Sequence, residues 1–196
     1  MMGCDTGGAP ARPGHRGYRV SDRTASPPTL AFLTIQQEPA GWAGYYLVTN
    51  AWGRPLEFRL SSAVQPNRVQ TALYGPTLMD YLHGDVIGKA LVEKTSLKPD
   101  LIVTDGVPGL ALRGRVEVPV VALRPDGAIL PAEARSLTHP RCSLALLIPA
   151  AFATDEAALV EKLDQIDPAV DLVEPFARIR EAVAEARKLG VSGRAA

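Results

Sequence analysis

The sequence predicts an α/β domain: a three-stranded antiparallel meander that continues into a mixed sheet with parallel strands, flanked by helices and ending in a helical C-terminal part. Three observations carry this. Apolar and aromatic runs rich in β-branched residues, TLAFLTIQQ and GYYLVTN, are separated only by the breaker PAG, which reads as two sequence-adjacent strands. PLEFRLSS then alternates apolar and charged residues with the period of two that a half-buried strand requires. From Val69 the apolar spacing lengthens to between three and five residues, and KPDLIVTDG restores a strand signal, so a helix connects two strands and the second is parallel.

Each element follows in order. Residues 1 to about 28 are rich in Gly, Pro, Arg and Ser and poor in apolar side chains, so they read as a disordered tail whose arginines Arg12, Arg16, Arg19 and Arg23 are solvated. A single domain spans 29–190, and 191–196 is a short flexible end. After the first two strands, AWGR makes a turn at Gly53, and Pro55 suits the first position of the third strand, where no ladder donor is needed. With Leu56, Phe58 and Leu60 facing the core, Glu57 and Arg59 face solvent.

Pro66 ends that strand, Asn67 or Pro66 starts a helix reaching about Lys94, and Gly75-Pro76 kinks or splits it. LIV of KPDLIVTDG is a short buried strand with a turn at Asp105-Gly106. A short helical segment, VPGLALRGR, leads to the strand VPVVAL. RPDG turns, a loop surrounds His139-Pro140, and CSLALLIPA is a further strand. Thr154 caps DEAALVEKLDQI, and a last helix starts near Pro175 with Phe176, Ile179, Val183 and Ala186 as its stripe, ending at Gly190.

Composition narrows the function. The 21 basic and 21 acidic residues balance, so nucleic acid is a partner only through a local patch, and no apolar run of about 20 residues implies a membrane partner. Two cysteines, Cys4 and Cys142, make neither a disulfide framework nor a metal cluster, and with no apolar stretch of the kind a signal peptide needs the expected compartment is the reducing cytoplasm. His15, His83 and His139 stand at no metal-ligand spacing. No G-x-x-x-x-G-K-[ST], G-x-G-x-x-G or G-x-S-x-G pattern occurs, which argues against the common nucleotide-binding and serine-hydrolase readings.

The order of three antiparallel strands, a helix, a strand ending in Asp, a helix and another strand resembles the layout of the ribonuclease H-like superfamily, endonuclease V relatives included, over about residues 29 to 123. KPDLIVTDG looks like the fourth strand of those enzymes, with its terminal carboxylate at Asp105. The resemblance implies a divalent-metal-dependent nuclease or phosphodiesterase in which Mg²⁺ or Mn²⁺ is held by converging carboxylates. Asp105 would be the catalytic and metal candidate, with Glu38 and Glu57, and Asp80 or Asp85 on the helix, as further ligands. The family's first strand carries an acid in its middle. This one places Gln36 and Gln37 near that position and reaches Glu38 only at its end.

A second reading uses the corner from Asn50 to Gly75. Arg54, Arg59, Asn67, Arg68 and Gln70 gather polar and cationic groups at a helix start, a setting that can receive an anion, and Trp52 in the turn is the one aromatic expected to be exposed. Tyr45, Tyr46, Phe58, Tyr74, Tyr81 and Trp42 are expected to pack the core. With an acid missing from the first strand and a neutral overall charge, the preferred expectation is a noncatalytic domain. It needs no cofactor and recognises an unidentified protein or small ligand through this corner and the loop after Asp105. The nuclease is the alternative.

Overall fold

The computed structural model describes residues 26–188; the greater part of the expected N-terminal tail, with Cys4 and its arginines, and the expected flexible end at 191–196 lie outside them. The chain forms seven strands: β1 (Leu30–Glu38), β2 (Gly41–Thr49), β3 (Pro55–Leu60), β4 (Leu101–Thr104), β5 (Val120–Arg124), β6 (Ala134–Leu137) and β7 (Ala145–Pro149). They make one sheet in the order β3-β2-β1-β4-β5-β7-β6. β1, β4 and β5 run parallel at its centre, and β2 and β3 on one side and β7 and β6 on the other are antiparallel. The expected α/β class, meander and mixed sheet are all present.

Helical layers cover both faces. On one, α4 (Asp155–Asp164) and α5 (Glu174–Lys188) bury Leu159, Leu163, Phe176, Ile179 and Val183 against Leu30, Phe32, Leu101 and Val103. Phe32 and Phe176 meet edge to face at 5.6 Å between ring centres. On the other, the stretch from Arg68 to Lys94 and the 3₁₀ segment Val107–Gly114 bury Ile87, Leu91 and Leu112 against Ala31, Leu33, Tyr46 and Ile102.

The expected helix of residues 67–94 is indeed divided: α1 (Arg68–Tyr74), a 3₁₀ turn (Gly75–Thr77), α2 (Leu78–Tyr81), a π-helical stretch (Leu82–Gly88) and α3 (Lys89–Lys94). Gly75 at φ 49° makes the first break. The widened turn has a packing reason. A Cβ on Gly88 would stand 2.1 Å from the carbonyl oxygen of His83 and 3.2 Å from Leu33, and one on Gly84 would stand 3.1 Å from the backbone of Ala111, so two glycines four apart let this helix lie against both β1 and the 3₁₀ segment.

Two expectations from the sequence are corrected here, and one unassigned segment proves to be a strand. On β3 the inward face is the other one: Leu56, Phe58 and Leu60 are exposed, and Glu57, opposite Val48, turns toward the loop that follows α3. β3 is the edge of the sheet and, among the described residues, α5 packs chiefly on β1 and β2, so the apolar face of β3 stays partly exposed. Thr154 makes no side-chain cap; the 3₁₀ turn Ala150–Phe152 runs straight into α4, and Thr154 already has helical backbone angles, −65° and −18°. Finally, Ala134–Leu137, to which the sequence reading assigned no element, adds to β7 as a strand because pairing with a buried neighbour replaces the missing apolar pattern.

Candidate functional site

The parallel register Leu33↔Thr104 sets Thr34, the next residue of β1, beside Asp105, the first residue beyond β4. The Thr34 hydroxyl donates to Asp105 Oδ2. Below them Thr104 Oγ1 donates to the carbonyl of Gly106 at 3.0 Å, and Gly109 lies so close that a Cβ there would be 2.4 Å from the same oxygen. The turn after β4 is therefore held tightly from both sides. β1's position opposite Asp105 is Thr34, two residues earlier than Gln36 and three before Gln37, so the neutral side chain facing the carboxylate is a hydroxyl rather than an amide.

His83, in the first turn of the π-helical stretch, is the other titratable group of this cluster. It is 8% exposed, and its Nδ1 lies 2.8 Å from the carbonyl oxygen of Met79, which makes Nδ1 the protonated nitrogen and leaves Nε2 as an acceptor. Burial lowers its pKa against the raising pull of the Met79 carbonyl, Asp105 and Asp80. Burial likewise raises the pKa of Asp105, opposed by the Thr34 hydroxyl, backbone hydrogen bonding, His83 and Arg180. The sequence hides this cluster, since Thr34 and His83 match no motif. The one available signal is that Thr34 interrupts the apolar run from Leu30 to Ile35.

The other proposed ligands are elsewhere and already engaged. Glu38 accepts from the Tyr45 hydroxyl at 2.9 Å and pairs with Arg187 of α5. Glu57 accepts from the Thr95 hydroxyl at 2.7 Å, from the amides of Ser96 at 3.1 Å and Leu97 at 3.3 Å, and from Arg59. Asp85 pairs with Arg115. Asp80, exposed on α2, acts on His83 only through its field. Among the described residues no group of three or more His, Cys, Asp or Glu side chains could hold a metal ion.

The corner residues are also brought to separate tasks. Asn67 caps α1 by accepting from the Gln70 amide at 2.8 Å, and the Gln70 side chain accepts from the Asn67 amide at 3.0 Å. This reciprocal box uses two of the amides that an anion at the helix start would need. Arg59 is committed to Glu57 and lies 3.3 Å from Ser96 Oγ. Arg54 and Arg68 are exposed, and so is Trp52 at 60%. Tyr45 and Tyr46 are buried as expected, Tyr74 and Tyr81 stack on each other at 4.1 Å, and Phe58 departs from the core expectation at 38% exposure.

No family model and no curated protein matches the sequence. Among solved structures, the chain is similar to the crystal structure of endonuclease V from Bacillus subtilis, with 9% identity, 82% of each chain covered and a TM-score of 0.49.

What the corner does present is apolar surface. Of the ten large hydrophobic residues exposed among the described residues, six fall between Trp52 and Leu73: Trp52, Leu56, Phe58, Leu60, Val69 and Leu73, the last 80% exposed. α1 buries none of its seven residues. A cavity of about 320 Å³ between it and the β1–β2 turn is lined by Trp42, Pro66, Thr71 and Leu78 among others.

Proposed function

We propose that this chain is a noncatalytic recognition domain that binds a partner protein through the corner between Asn50 and Gly75. The concentration of exposed apolar side chains in that one span carries the reading. A helix is normally held by burying an apolar stripe, and α1 leaves Val69 and Leu73, one turn apart, in solvent. Exposed apolar surface of this extent marks a contact site, and Arg54 and Arg68 add exposed charge within the same span of chain.

The dispersal of the carboxylates supports the same reading against metal-dependent cleavage. Two-metal phosphodiester chemistry requires acids that converge, and Glu38, Glu57 and Asp85 each neutralise a different arginine or cap a different loop. Asp105 is hydrogen-bonded to the Thr34 hydroxyl, and among the described residues no group of three or more His, Cys, Asp or Glu side chains could hold a metal ion beside it.

The test has two arms. Titration calorimetry with Mn²⁺ and Mg²⁺ on the protein and on Asp105→Asn, followed by incubation with labelled single- and double-stranded nucleic acid, is expected to show no saturable metal binding and no cleavage. Metal binding and cleavage that both vanish in Asp105→Asn would overturn the reading in favour of the nuclease. A photo-crosslinking residue at Leu73, tested in cells against the same residue at the 91% exposed Ile129, is expected to yield a discrete protein adduct at the first position only. Equal labelling at both would remove the corner as the contact surface.

A further inference from the structure

β3 is an edge strand that carries one common edge protection, a register shift beside Leu56 at its start, and lacks the others along residues 57–60. Sheets protect their edges with charge pointing outward, bulges or covering loops. Here the two charged residues, Glu57 and Arg59, are turned to the face that the loop after α3 covers, and the uncovered face shows Leu56, Phe58 and Leu60 at 46%, 38% and 45% exposure. No backbone group of another described segment bonds to its outer side.

The ladder shows which groups are free. The amide of Ser61 donates to the carbonyl of Gly44 at 2.9 Å and the Gly44 amide donates to Ser61 Oγ at 2.8 Å, so the backbone of Ser61 is directed toward β2. Bonded and non-bonded pairs alternate in an antiparallel ladder, which makes Arg59 with Tyr46 and Glu57 with Val48 bonded and leaves Phe58 and Leu60 with both backbone groups directed outward. Pro55, which has no amide hydrogen, stands at the start of the strand rather than at these positions.

We infer that β3 pairs with β3 of a second copy of this chain, antiparallel and centred on Phe58, so that two seven-stranded sheets join into one. A two-fold interface must be complementary to itself, residue i meeting j wherever j meets i. With Phe58 on the axis, Phe58 meets its own copy, Leu56 meets the copy's Leu60 on the same apolar face, and Glu57 meets the copy's Arg59 on the other. From Leu56 to Leu60 each cross-strand pair is then apolar with apolar or opposite in charge. Centring on Glu57 or Arg59 would set like charges face to face, and centring on Leu60 would set Phe58 against Ser62. The sequence around Phe58 is thus nearly palindromic in chemistry, L-E-F-R-L, and the outward amide and carbonyl of Phe58 exchange two bonds with the copy.

This inference rests on the reading of the corner as a contact surface but concerns β3 alone; α1 and its Leu73 adduct are untouched by it. Sedimentation velocity over a dilution series is expected to show a dimer that dissociates on dilution, and Phe58→Lys is expected to sediment as monomer at every concentration while keeping the far-UV spectrum of the parent. Register is read by oxidative cross-linking in a Cys4→Ser background. Phe58→Cys alone is expected to form a covalent dimer; Leu60→Cys alone is not, and a mixture of Leu60→Cys with Leu56→Cys is. A wild-type chain that stays monomeric throughout the series, or a Leu60→Cys chain that links to itself as readily as Phe58→Cys, would overturn the proposal. A monomer that still gives the discrete Leu73 adduct would leave the recognition reading standing.

Discussion

Replacing Glu57 by Gln tests the central packing argument about the edge of the sheet. The carboxylate of Glu57 collects the Thr95 hydroxyl, the Ser96 and Leu97 amides and the Arg59 guanidinium, tying β3 to a loop 38 to 40 residues further along the chain. Partial burial by itself would raise its pKa, but the hydrogen bonds from Thr95, Arg59 and Ser96 outweigh that and hold it below the ordinary 4.5. An amide keeps one acceptor oxygen and turns an N–H₂ group toward donors, so about one charge-assisted bond is lost and one neutral bond weakened, which together are worth about 2 kcal/mol. For a chain of this length that lowers the melting temperature by about 4–8 °C.

Thermal unfolding followed by circular dichroism at neutral pH measures the difference. The pH dependence then separates the carboxylate's charge from mere shape. A group whose folded pKa is depressed contributes stability that is present above its unfolded pKa and lost as pH falls through the folded value. Wild type and Glu57→Gln are therefore expected to converge as the pH drops below 4.5, where Glu57 takes up a proton and resembles the amide. Equal melting temperatures at neutral pH, or a gap that stays constant into acid, would refute the clasp.

Asp105→Asn is expected to behave in the opposite sense. Burial raises the Asp105 pKa above 3.8, so its ionised form weakens the folded state at neutral pH; the Asn variant should melt higher than wild type there, and the two should converge below about pH 3.8, as a pH series of melting curves will show. Cys142 is 9% exposed and its thiol is pushed by burial up to about 11. In a Cys4→Ser background, Ellman's reagent at about pH 8 is expected to react only after denaturant is added, whereas full labelling of the folded chain would contradict the burial.

The sequence determined most of the secondary structure and the class of the sheet, because those depend on local periodicity. Apolar runs separated by Pro and Gly make strands whatever lies beyond them, and the shift of spacing after Val69 makes a helix, whereas the reciprocal Asn67 and Gln70 cap came to light only in the structure. The Gly75-Pro76 break was legible for the same reason. What a period of two cannot specify is which of its two faces is the inside. PLEFRLSS alternates equally well either way, and Glu57 is turned inward by donors at Thr95, Ser96 and Leu97 while the apolar face is left bare because α5 lies over β1 and β2 instead.

The candidate site was legible only in part, and for the same physical reason. Asp105 announced itself at the end of an apolar strand, but its hydrogen-bonded partner Thr34 lies 71 residues away in sequence and reaches it through the parallel pairing of β1 with β4, while His83, 22 residues away on the widened helical turn that two glycines permit, acts on it through its field. Convergence of side chains is a property of packed layers, so the acids that looked available as a set, Glu38, Glu57 and Asp85, were each claimed by a nearer donor once the layers closed. Tertiary packing decided which groups meet; local pattern decided only that strands and helices existed to carry them.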